Sequence, residues 1–267
     1  MNTRSGGVLV LALMLALTAC GSGAVVVPPT LPTTTSPPTT PSTTTPTTAP
    51  GDSSPTKEIR NIWDQPLLGP LETGTYFIDP DLDPSTPLRV VYEVPMEGWS
   101  MWVGAVKSGD EGHVAVSITT VTNLVRHGCS DHSHADPSVG PSVDDLATAL
   151  ADLAPFLVTS PPKDVTVYGH SGRYLELTVP NLPVERSGDD LRFTECTNGD
   201  LKSWVAPFDT APGDAYYGYT GPGYTEEFWI LDVEGTRLVI AAERSADSPP
   251  EDLAELLVIL ASIRIEP

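Results

Sequence analysis

Two apolar runs, 228–233 and 236–242, meet at Glu234-Gly235 and constrain this chain more than any other stretch. A two-residue connection ending in glycine is a hairpin signal. It pairs Val233 with Thr236, Asp232 with Arg237 and Leu231 with Leu238. Trp229, Leu231 and Val233 then share one face with Leu238 and Ile240, while Phe228 and Ile230 share the other with Val239. Strands that are apolar on both faces need cover on both, so this pair belongs inside a sheet. A helix signal follows. Ser248 is placed as the cap, Pro249 at the first helical position and Glu251 as the reciprocal partner, with Leu253, Leu256, Leu257 and Leu260 on one stripe. The helix is expected to lie on the hairpin's sheet. Together these features predict an α+β fold, an antiparallel sheet of several strands packed with two helices. Strands and helices do not alternate regularly, which argues against a parallel Rossmann sheet.

The other helix is expected over 143–153, capped by Ser142 with Asp145 completing the box and Leu146, Leu150 and Leu153 on one face. Further strands are expected at 75–78, 88–94, 99–106, 113–121, 164–167, 173–179 and 202–205. Turn chemistry such as Asp79-Pro80, Asp83-Pro84 and Asn198-Gly199 separates them.

Ahead of this folded part the composition changes. Arg4 precedes an apolar run from Val8 to Leu17, and Leu17-Thr18-Ala19-Cys20 closes it. A basic start, an apolar middle and small residues read as a secretory signal. The run is about ten residues, half of what a membrane span needs. The cysteine directly after the small residues resembles the bacterial lipobox, whose cysteine is diacylated and becomes the mature N-terminus. Residues 1–19 are therefore expected to be the signal peptide and Cys20 the lipidation site. Residues 20–57 follow as a tether rich in Thr, Pro and Ser, and 58–267 as a single domain. Proline at this density favours an extended chain of about 3.1 Å per residue, lifting the domain by up to roughly 100 Å. The tether reads equally as an acceptor for O-linked sugar or as a bare spacer.

The formal net charge is −21. Nucleic acid requires basic patches, so it is not expected as a partner. Anionic headgroups are repelled too, which leaves acyl chains to hold the protein at the membrane. Of three cysteines, Cys20 is committed to lipid. Cys129 and Cys196 remain as an even pair in an oxidising compartment and are expected to form a disulfide. Its loop of about 67 residues is worth about 4 kcal/mol on the chain-entropy model. Free thiols or metal ligation are the alternative.

Val94-Pro95-Met96-Glu97-Gly98-Trp99 resembles the V-P-x-G-W strand that opens PsbP-like domains, with one extra residue between Pro and Gly. Ile259-Leu260-Ala261-Ser262-Ile263 resembles their closing helix, and the order of elements between is similar. The chain also resembles lipoproteins of high-GC Gram-positive bacteria that carry a Thr/Pro stalk. The resemblance implies a PsbP-like sandwich and a binding or accessory role, and it carries over no catalytic residue.

Four stretches invite a chemical reading. Gly169-His170-Ser171-Gly172-Arg173 approaches a nucleophile elbow, but Arg173 stands where the last glycine must be, and a strand follows rather than a helix. A hairpin turn is expected instead. Asp79-Pro80-Asp81-Leu82-Asp83 alternates carboxylates, yet Pro84 and Val90 occupy the Gly and Glu positions of a calcium loop. His127, His132 and His134, with Asp131 and Asp136 nearby, suit Zn²⁺ or Cu²⁺ chemically. A solvated loop pinned by Cys129 is the competing reading. Tyr216, Tyr217, Tyr219 and Tyr224, interleaved with glycines, form either a ligand-binding platform or a long loop folded onto the core.

The expectation is a lipid-anchored, extracytoplasmic, non-catalytic domain on the outer face of the cell membrane. It would bind an envelope protein, peptide or glycan and need no cofactor. An envelope hydrolase with residues scattered along the sequence and a metal-binding lipoprotein are the alternatives.

Overall fold

The computed structural model describes residues 58–266, apart from 84, 110–111, 188–189 and 208–213. The lipobox, Cys20 and the tether lie outside the described residues, as does part of the aromatic loop. The 228–242 hairpin forms as its sequence requires. β15 (Thr225–Val233) pairs with β16 (Thr236–Arg244) in the expected register. Glu234 and Gly235 take φ of 51° and 88°, the left-handed pair of a type I′ turn.

These two strands sit inside a seven-stranded antiparallel sheet. Its other members are β4 (Ser100–Trp102), β5 (Gly104–Gly109), β6 (Gly112–Thr119), β9 (Leu157–Val167) and β10 (His170–Thr178), in the order β4-β5-β6-β16-β15-β10-β9. Cover comes on both faces. On one lie β2 (Gly74–Ile78) and β3 (Arg89–Val94), flanked by β1 (Ile59–Asn61) and β17 (Arg264–Glu266), together with α2 (Pro250–Ser262). Their side chains Tyr76, Ile78, Val90, Tyr92 and Ile259 form one core with Leu231, Leu238 and Ile240. On the other face lie α1 (Val143–Ala151) and a four-stranded sheet of β7 (Asn123–His127), β8 (Asp131–His134), β13 (Leu201–Pro207) and β14 (Asp214–Tyr219). Leu124, Leu146, Leu150 and Trp204 form a second core there with Phe228, Ile230 and Val239. β11 (Val184–Ser187) and β12 (Asp190–Phe193) pair only with each other. All named pairings are antiparallel except β1 with β2. The α+β expectation holds, but three multi-stranded sheets replace the one sheet read from the sequence.

Several boundaries differ from expectation for physical reasons. The run 99–106 is two strands, because the chain reverses at Val103. There Trp102 pairs with Gly104, whose φ is +143° and where a Cβ would stand 2.2 Å from the Val116 carbonyl oxygen. β9 begins well before 164 and runs through Pro161-Pro162, which an edge strand tolerates. α1 carries the expected capping box: Ser142 Oγ accepts from Asp145 N–H at 3.1 Å, and Asp145 Oδ2 accepts from Ser142 N–H at 3.0 Å. α2 starts one residue later than expected. Pro249 is its cap and Pro250 its first residue, while Ser248 Oγ donates to the His113 and Ser245 carbonyls.

The packing face also differs from expectation. The stripe turned to the core is Leu256, Ile259, Leu260 and Ile263, and Leu257 points away from it, 65% exposed. The docked face is also held by polar contacts. Glu255 accepts from Trp99 Nε1 at 2.9 Å and from Lys107 Nζ at 3.0 Å, and Ser262 Oγ accepts from Glu93 N–H at 2.8 Å. Cys129 and Cys196 form the expected disulfide, with Sγ atoms 2.09 Å apart across a sequence separation of 67. Among the described residues no helix is long and apolar enough to cross a membrane.

Candidate functional site

α2 is apolar around most of its circumference, so only part of it can be buried against the sheet. The remainder lines a groove of about 660 Å³ between the helix and the outer half of the central sheet. Leu253, Leu257 and Ala261 form the helix wall, and Val167, Trp229 and Ala242 the sheet wall. Val258, also on α2, is 51% exposed. Tyr168, in the β9–β10 turn with φ of 53°, closes one end and donates its hydroxyl to the Leu260 carbonyl at 3.0 Å. Burial pushes that phenol up to about 12. The hairpin turn is Tyr168-Gly169, and the rest of the stretch that approached a nucleophile elbow, His170 to Arg173, lies in β10.

The other end of the groove is polar. Glu176 and Glu227 face each other across β10 and β15, a like-charge pair that is unfavourable alone. Arg244 lies between them, with Nη1 2.5 Å from Glu227 Oε1 and Nη2 3.7 Å from Glu176 Oε2. Tyr174 donates to Glu227 Oε2 at 3.0 Å, and its pKa is raised, first by burial and then by that carboxylate. Lys163 adds a second cation at this end, its Nζ 4.5 Å over the Tyr174 ring. Size, apolar walls and a few convergent polar groups are the attributes of a small-ligand site.

The tyrosines singled out in the sequence are placed differently from one another. Tyr217 and Tyr219 alternate inward along β14 and are buried, as is Tyr224, while Tyr216 is 40% exposed. The buried three close over two carboxyl groups that sequence reasoning passed over. Glu226 and Glu243 are direct partners across β15 and β16, and both are buried. Glu226 accepts from Trp204 Nε1 at 2.9 Å and from Tyr219. Glu243 accepts from Ser117 Oγ at 2.9 Å and from Tyr217. Burial pushes Glu226 up to about 8 against the lowering effect of its two donors. Tyr219 rises well above its ordinary value through burial and then through Glu226. Trp204 stacks on Tyr217 at 4.6 Å between ring centres. The tyrosines here are core, organised around carboxyl groups.

Ser108, His113 and Glu243 form the one hydroxyl–imidazole–carboxyl line found among the described residues. Ser108 Oγ lies 2.8 Å from His113 Nδ1, and His113 Nε2 lies 3.8 Å from Glu243 Oε2. In a nucleophilic triad the serine takes Nε2 and the acid takes Nδ1 within hydrogen-bonding reach. Here the nitrogens are exchanged, the acid is too distant, and Glu243 is already bonded to Ser117 and Tyr217.

The three histidines proposed as ligands do not converge. His127 Nδ1 accepts from the Cys129 and Ser130 N–H groups at 3.1 Å, His132 Nε2 is 2.9 Å from the Gly128 carbonyl, and His134 packs on Tyr216. Among the described residues no group of three or more His, Cys, Asp or Glu could hold a metal ion. Asp79, Asp81 and Asp83 accept from backbone N–H groups two residues on, which fits their reading as turn residues. Comparison with protein-family models, with curated proteins and with solved structures finds no match to this chain.

Proposed function

We propose that this protein is a lipid-anchored, non-catalytic binding domain of the cell envelope, and that it takes a small amphiphile in the groove beside α2. The groove carries this reading: an apolar trough of ligand size with a polar end that offers two carboxylates. An alkyl chain laid along Leu253, Leu257 and Trp229 would gain about 0.8 kcal/mol per buried methylene. Roughly eight methylenes give about 6 kcal/mol before the cost of immobilising the chain. A head with hydroxyl or ammonium donors suits Glu227 and Glu176, and an anionic head does not.

The lipobox and tether support placement at the outer face of the cell membrane, where amphiphiles are presented. The likeness to PsbP-like domains also fits an accessory role. Both stretches that carry it contribute to seating α2, through Trp99 to Glu255 and through Ser262 to Glu93.

Calorimetric titration tests the reading. The probes are dodecyl maltoside, dodecyltrimethylammonium and dodecyl sulfate below their micellar concentrations, added to the mature chain bearing Cys20→Ser so that it cannot be acylated. Saturable binding is expected for the neutral and cationic heads and weaker binding for the sulfate. Leu257→Asp should weaken it roughly tenfold or more, because a charge then replaces apolar wall. Absence of saturable binding for all three probes would sink the proposal.

A further inference from the structure

The groove beside α2 has two unlike ends, and the path of the chain fixes what each end of a ligand meets. β16 stops at Arg244 and α2 starts at Pro250, so the helix leaves from the polar end, where Glu227, Ala242 and Arg244 lie. Its last turn reaches the opposite end, where Leu260 and Ala261 meet Tyr168. The floor runs the same way. Glu176 pairs with Glu227 at the polar end, and Tyr174 pairs with Trp229 two residues further on. His170 pairs with Val167 on the last rung before the β9–β10 turn. From Glu176 to His170 the strand covers about 20 Å. A head held at Glu227 therefore points its tail at Tyr168.

Tyr168 is placed to stop that tail. The Leu260 carbonyl belongs to the last turn of α2, where carbonyls lack a helical N–H partner. It accepts from Ile263 N–H at 3.3 Å and from the Tyr168 hydroxyl at 3.0 Å. The second bond ties the hairpin turn to the helix, so the phenol reaches from the sheet wall to the helix wall. Tyr168 holds this place at a φ of 53°, which glycine or asparagine usually fills in a two-residue turn. A bulky residue there carries a conformational cost, which its contact with α2 offsets. The helix wall from Leu253 to Ala261 is about 12 Å long. An extended chain advances about 3.6 Å for every three bonds, so roughly ten carbons fit between the two walls.

We propose that Tyr168 sets the length of the ligand: its ring blocks the far end of the groove and limits the enclosed alkyl chain to roughly ten carbons. This rests on the reading of the groove as an amphiphile site. The test titrates the mature Cys20→Ser chain calorimetrically with hexyl, octyl, decyl, dodecyl and tetradecyl maltosides, each below its micellar concentration. Affinity should rise roughly fourfold for each methylene and level off near the decyl chain. Tyr168→Gly removes the ring and suits the positive φ, and its affinity should keep rising to the tetradecyl chain. Tyr168→Phe keeps the ring and should level off with the parent. Failure of every maltoside to bind sinks the groove reading and this inference with it. A rise without levelling in the parent, or levelling at the same length in Tyr168→Gly, overturns the inference alone and leaves the groove reading standing. Levelling lost in Tyr168→Phe as well would assign the stop to the hydroxyl tie instead of the ring, and overturns it too.

Discussion

Glu226 and Glu243 face each other across one rung of the central hairpin, buried beneath Tyr217, Tyr219, Tyr224 and Trp204. The His113 imidazole is 3.8 Å from Glu243, at the edge of this group. Burial raises Glu226 to about 8, so the folded protein keeps a proton that the unfolded chain releases near 4.5. Folding then takes up a proton across that interval, and stability falls as pH rises through it. Glu226→Gln keeps a carbonyl for the Trp204 donor, turns an amide NH2 toward the Tyr219 oxygen, and cannot ionise. Denaturant unfolding should show wild-type stability declining from about pH 5 to pH 8 and the variant declining less, with the difference widest near pH 8. Asp79, raised to about 6, adds a slope of the same sign to both proteins and cancels in the comparison. Equal slopes would show that Glu226 is ionised throughout. This pair was within reach of the sequence. The register that matches Val233 with Thr236 continues to Glu226 with Glu243, seven rungs along.

At the scale of elements, what the sequence revealed is what local chemistry decides. The type I′ hairpin and the capping box of α1 depend on residues a few positions apart, and both stand as expected. β7, β8, β11 and β12 are four or five residues long, and nothing in their own composition demands a strand. β14 hid behind its glycine and tyrosines, although Tyr217 and Tyr219 alternate with Tyr216 and Gly218 at the period of a strand. α2 was legible as a helix, but its facing was not. Leu253, Leu257 and Ala261 are spaced as well for an apolar stripe as Leu256, Ile259 and Ile263, and the neighbouring strands bury the second and leave Leu257 exposed. Hence Ile259→Ala should cost about 2–5 kcal/mol, whereas Leu257→Ala should stay within about 0.5 kcal/mol. Chemical denaturation of the two variants measures the contrast. Comparable losses would mean that α2 packs with a different face inward.

At the scale of the molecule, three layers of structure put the groove on the α2 side of the central sheet. The groove was not visible in sequence, because its sheet wall and its helix wall lie up to 94 positions apart, from Val167 to Ala261. The proposed anchor rests on a local motif, Leu17-Thr18-Ala19-Cys20. Cys20→Ala should release the protein to the medium or leave an unprocessed precursor, and unchanged partitioning into detergent would refute lipidation. The central claim concerns the groove and is tested most directly by where a ligand lies. A dodecyl maltoside analogue with a diazirine on its alkyl chain, photolysed with the mature Cys20→Ser chain, should label α2 at Leu253, Leu257 or Ala261 and the facing strands at Trp229 or Ala242. Competition by unmodified dodecyl maltoside should erase that label. Label confined to other surfaces, or label that competition leaves unchanged, would contradict the account.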